Sequence, residues 1–194
     1  MEKKEILQLT KRCNFMIRIA QVLFLGFGLA MVGSALTEVT KNKFAKLESE
    51  NNQMVVSRAD MATRTRQLTC LAKNIYWEAG SESFEGKVAV AQVTLNRVRS
   101  TKFGNDVCEV VYQRNTIMDK IVCQFSWVCQ PGMTIKPIHP ERYAESMNVA
   151  KKVLLENFRL DSVREALYYH ADYVNPGWGK KPVAKIGRHI FYKG

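Results

Sequence analysis

The chain has 194 residues, enough for one domain of ordinary size plus an appendage. Hydrophobic residues make up 46% and charged residues 24%, a composition that excludes a disordered chain. Lys and Arg total 29 against 18 Asp and Glu, and the net charge of +11 excludes an acidic, self-solvating protein. Such a balance favours an anionic partner: nucleic acid, a membrane surface or a cell-wall polymer.

Residues 1–18 form a basic segment with Lys3, Lys4, Lys11, Arg12 and Arg18. Residues 19–36, Ile19 to Leu36, carry no charge. Eighteen residues of helix at 1.5 Å each reach about 27 Å, close to the hydrocarbon thickness of a bilayer. The pattern predicts one N-terminal transmembrane signal anchor. The basic side stays in the cytoplasm and the C-terminal part is exported. A cleaved signal peptide, cut after Ala35, is the alternative. Residues 37–66 are polar and mixed in charge, and read as a partly helical stalk.

The exported domain is expected over residues 67–194. Leu68, Leu71, Ile75 and Ala79 recur at helical spacing, and Gly80 offers a stop. Ser83 caps a second helix whose face is Val88, Ala91, Leu95 and Val98, running to about Ser100. Asp106 caps a short helix, Val107 to Gln113. Asn115 to Pro140 reads as irregular, Glu141 to Asn157 as helix. ALYYHADYV and VAKIGRHIFYK read as two strands joined by the Asn175–Pro182 loop. The expected fold class is α+β, mostly helical with a small C-terminal β element.

Cys13 precedes the apolar run, and Cys70, Cys108, Cys123 and Cys129 follow it. Four exported cysteines are consistent with two disulfides, and three pairings are open.

Glu78 is the residue with the clearest chemical promise. It ends an apolar helix beside Tyr76 and Trp77, before Gly80. Partial desolvation there raises a carboxyl pKa, which suits a general acid near neutral pH. Glu82 and Glu85 are near enough in sequence to supply a second carboxylate, and Glu82 also suits a turn or helix cap.

Four blocks of the chain resemble, in order, the cell-wall hydrolase family of spore cortex-lytic enzymes (SleB-type). They are Glu78-Ala79-Gly80-Ser81-Glu82; Gly86 to Ala91 with Leu95-Asn96-Arg97-Val98; Cys123 to Trp127; and Ala166 to Trp178 with Ile186 to Tyr192. The resemblance covers about Leu68 to Tyr192. It implies a lysozyme-like fold related to lytic transglycosylases. It also implies cleavage of peptidoglycan between N-acetylmuramic acid and N-acetylglucosamine, with Glu78 as acid and base and no cofactor. Gln124, Ser126, Trp127, Tyr168 and His170 become candidate substrate contacts, His170 also a candidate to orient Glu78, and Glu82 a supporting residue. The chain departs from the family pattern at Gly80-Ser81, where that pattern has Arg-Gly. The expected setting is the cytoplasmic membrane of a bacterium, or a phage of bacteria, with the domain facing the wall.

Other classes fit less well. The three histidines, His139, His170 and His189, lack HExxH spacing, and no CxxC occurs, so no metal is expected. A Cys70–His170 peptidase would need a reduced thiol in an oxidising setting. Scattered basic residues on an exported domain argue against nucleic acid. A non-catalytic peptidoglycan-binding module is the rival reading.

Overall fold

A computed structural model describes residues 3–194; side chains are described for 15–24, 37–133 and 135–194. The chain divides into two units, Met1–Ala59 and Asp60–Gly194. Helix α1 is assigned from Lys3 to Ala79 and is the only element of the first unit among the described residues. The stalk segment 37–66 is helical throughout rather than in part. It contains neither Gly nor Pro, and the pairs Lys46–Glu50 (3.9 Å) and Asp60–Arg64 (3.0 Å) bridge successive turns. Among the described residues no helix is long and apolar enough to cross a membrane. The span expected at Ile19–Leu36 includes residues 25–36, which lie outside the described side chains.

The second unit is built around helix α2 (Phe84–Arg99). Ser83 caps it, its Oγ accepting from the Gly86 N–H at 3.3 Å. Residues Gly86 to Arg97 are all buried, because α2 packs on two sides. Val88, Ala91 and Leu95 meet Leu71 and Ile75 of α1, α3 (Val107–Val111) and α5 (Pro140–Leu154). Ala89 and Val93 meet Val163, Ala166 and Phe191 on the other side. A helix apolar on both sides is a core helix, and the expected single face covers only the first.

Polar residues of α2 then fix the chain that leads into the C-terminal sheet. Gln92 Nε2 donates to the Leu160 carbonyl (3.1 Å), and its Oε1 accepts from the Leu160 N–H (2.8 Å). Asn96 Nδ2 donates to the carbonyls of Val163 (3.1 Å) and Ala166 (2.9 Å). Arg97 Nε donates to the Leu167 carbonyl at 2.8 Å. Each satisfied buried bond contributes about 1 kcal/mol net.

The sheet that follows has three antiparallel strands, β3 (Ala166–Ala171), β4 (Pro182–Ile186) and β5 (His189–Lys193), in the order β3-β5-β4. The second expected strand is therefore a hairpin, broken at Gly187, whose φ of 55° is left-handed. A second hairpin, β1 (Arg114–Ile117) with β2 (Lys120–Cys123), occupies part of the stretch expected to be irregular. It is followed by the short helix α4 (Ser126–Cys129). Disulfides join Cys70 to Cys108 and Cys123 to Cys129, so α1 is tied to α3 and the CQFSWVC loop is closed.

Candidate active site

Glu78 projects from the last turn of α1 into a cleft of about 700 Å³, whose walls include Tyr76, Trp77, Lys136, Arg142 and Arg188. The helix ends there because Gly80 turns tightly: a Cβ at position 80 would run into the Tyr76 carbonyl oxygen. Protein surrounds Glu78 on most sides while part of its surface stays open. Burial raises its pKa above the ordinary 4.5, opposed by a hydrogen bond from Tyr169 and by the positive charge of Arg97.

Tyr169 Oη donates to Glu78 Oε2 at 2.9 Å. This leaves Oε1 without a bond to Tyr169. Burial and the neighbouring Glu78 drive the Tyr169 phenol pKa well above its ordinary 10.0, so it stays a donor. Tyr169 reaches Glu78 because α2 pins residues 160–167 and β3 then pairs with β5, setting Tyr169 opposite Phe191. His189 stands edge-on to the Tyr169 ring at 5.2 Å, and burial lowers its imidazole pKa.

Arg97 is 4% exposed and sits over the rings of Phe125 (5.1 Å), Phe103 (5.3 Å) and Tyr169 (5.9 Å). With its amide turned to satisfy both atoms, Gln124 accepts from Arg97 Nη1 and Nη2 at 3.2 Å. The cluster thus holds a carboxyl, a phenol and a guanidinium. Arg97 keeps a cation near Glu78.

The structure distributes the remaining candidates. Gln124 is half-buried against Arg97, and Ser126 is exposed at the start of α4. Trp127 is 3% exposed, and its Nε1 donates to Asn74 Oδ1 at 3.0 Å, while Asn74 Nδ2 donates to Thr94 Oγ1 at 3.2 Å. Its indole is core, not an open face for stacking on sugar. Tyr168 and His170 share one face of β3 with Trp178, centroids 5.9 and 5.5 Å away. Strand alternation puts Tyr169 on the opposite face. The residue touching Glu78 is therefore Tyr169, and the expected orienting role of His170 does not hold. Both His170 ring nitrogens are engaged, with the Ala171 carbonyl (2.8 Å) and Tyr192 Oη (2.9 Å). Glu82 does not line the cleft. Its Oε2 accepts from the Arg188 N–H at 3.1 Å and its Oε1 lies 3.5 Å from Arg188 Nε, so it holds the β4–β5 turn. Among the described residues no group of His, Cys, Asp and Glu could hold a metal ion.

Sequence reasoning does not single out Tyr169 or Arg97. Arg97 carries a signal all the same: it lies three residues from Thr94 and two from Leu95 on a largely apolar helix, and a buried cation there needs a partner. Tyr169 is one of several aromatic strand residues, and only the pairing register distinguishes it.

The chain is similar to known proteins in sequence and in fold. A spore cortex-lytic enzyme of Bacillus subtilis (strain 168) is 30% identical over 129 residues, covering 62% of this chain and 35% of that protein. One from Bacillus cereus (strain ATCC 14579) is 31% identical over 131 residues, covering 63% and 42%. The chain thus spans well under half the length of these curated relatives. The crystal structure of the catalytic domain of the Bacillus cereus SleB protein superposes with a TM-score of 0.50 at 26% identity, over 66% of this chain and 91% of that domain. The cell wall hydrolase family matches residues 81–192, beginning three residues after Glu78. With that match covering more than half of its residues, the chain belongs to the cell wall hydrolase family.

Proposed function

We propose that this protein cleaves the glycan strands of peptidoglycan between N-acetylmuramic acid and N-acetylglucosamine, with Glu78 as the single acid and base. The observation that carries this reading is a carboxyl of raised pKa, open to a cleft on one side and held by Tyr169 on the other. Protonated Glu78 donates its proton to the glycosidic oxygen as the bond breaks toward an oxocarbenium-like state. The resulting carboxylate is stabilised by the Tyr169 hydroxyl and the Arg97 charge. It then takes the proton from the muramyl 6-hydroxyl, whose oxygen closes a 1,6-anhydro ring, or from a water that yields a reducing end. Glu82 is committed to the Arg188 turn, which favours the one-carboxyl route over a second catalytic carboxylate.

The basic N-terminal segment and residues 19–36 would hold the chain in the cytoplasmic membrane, with the catalytic unit exported toward the wall. Two disulfides in the second unit support an oxidising compartment.

The test is digestion of purified peptidoglycan by the full chain and by Glu78→Gln, with products identified by mass spectrometry. Anhydromuramyl products that fall by about 10²–10⁴-fold in the variant are expected. Reducing-end products would mean hydrolysis at the same site. Products unchanged in the variant would remove Glu78 from the mechanism. A folded chain that binds the wall and releases nothing would mark a binding module.

A further inference from the structure

The cleft carries more positive charge than one acid requires. Lys136, Arg142 and Arg188 line it together with Glu78. Arg188 is paired with Glu82. No carboxylate among the described residues lies within ion-pair distance of Lys136 or Arg142. Glu145, one turn after Arg142, is taken by Lys87 Nζ at 2.8 Å. Arg142 also stands in the first turn of α5, where a helix dipole disfavours a cation, so helix stability does not explain it. Lys136 is on a stiff segment, with Pro137 and Pro140 following and the His139 N–H donating to Tyr76 Oη at 3.0 Å. That bond ties the basic wall to the helix that carries Glu78.

We propose that Lys136 and Arg142 bind a carboxylate carried by the muramyl residue, so that the cleft selects glycan strands that keep their acidic substituents. This rests on the glycosidase reading. Lys supplies a point charge and Arg a planar fork that suits a carboxylate, both on one wall of the site. The carboxylate belongs to the attached peptide, because the lactyl carboxyl is tied up in the amide that holds that peptide, and neutral or amidated strands lack this hold.

The experiment pairs the full chain and its K136Q/R142Q variant with native peptidoglycan and with peptidoglycan whose carboxyls are amidated. Both side chains are exposed, and an unchanged melting temperature confirms folding. On native strands the variant is expected to lose about tenfold in kcat/KM, mostly through KM, and on amidated strands less than about twofold. Equal losses on both substrates, or none on either, overturn the proposal. Strands whose peptide is removed and whose freed lactyl carboxyl is then amidated should show no loss in the variant, whereas a full loss of about tenfold there overturns the proposal. If the wild type cleaves neither substrate, the glycosidase reading fails, and co-sedimentation with the same two substrates decides this proposal. Retention that depends on carboxyls in the wild type and not in the variant upholds it; equal retention overturns it.

Discussion

Glu78 is held between opposing influences, and that balance is testable. Burial raises its pKa, so above pH 4.5 the folded state binds a proton more tightly than the unfolded chain does. The stability this group contributes is present below the unfolded value and is lost as pH rises through the folded one. Glu78→Gln should therefore melt higher than wild type at neutral pH and about level with it near pH 4. Thermal unfolding at the two pH values checks this. Tyr169→Phe removes the bond that favours the carboxylate, so the alkaline limb of the kcat/KM profile should move to higher pH and activity should drop by about tenfold. Arg97→Met should destabilise the fold by about 2–4 kcal/mol, measured in urea, because it strips the Leu167 carbonyl and Gln124 of their donor. The desolvation of Glu78 is legible in the sequence because it stands beside two aromatic residues at a helix end. Trp127 is buried and Tyr169 takes the place at Glu78 expected of His170, because residue type does not show which way a side chain faces.

At the scale of elements, the helices are legible in the sequence and the sheets less so. Capping by Ser83 and Asp106 marks α2 and α3, and both caps bond as expected. The β1–β2 hairpin is hidden because its turn is Met118-Asp119, not the Asn-Gly that usually announces such turns. Both residues are left-handed, with φ of 47° and 59°. Met118 is 92% exposed and gives nothing in packing. Replacing the pair with Asn-Gly should stabilise the protein by about 1 kcal/mol, read from urea unfolding midpoints. The β4–β5 hairpin is obscured for a related reason. Its turn is short enough that VAKIGRHIFYK reads as one strand, although the chain reverses at Gly187 and pairs back on itself.

Among the described residues, covalent and polar links tie distant parts of the second unit together. The Cys70–Cys108 bridge closes 38 residues of chain between α1 and α3, which the loop-entropy model values at about 4 kcal/mol. Cys70→Ala/Cys108→Ala should lower the unfolding free energy by about that amount, and reductant should then affect the variant less than wild type. The pairing is not legible in the sequence because spacing alone cannot choose among arrangements of four cysteines. The site depends on longer reach. Glu78 meets Tyr169 91 residues later, and Glu82 meets Arg188 106 residues later. During synthesis the acid leaves the ribosome before Tyr169 does, so a nascent chain holds the carboxyl without the strand that donates to it. The cleft is complete only once β3 and β5 have followed α1 out of the ribosome.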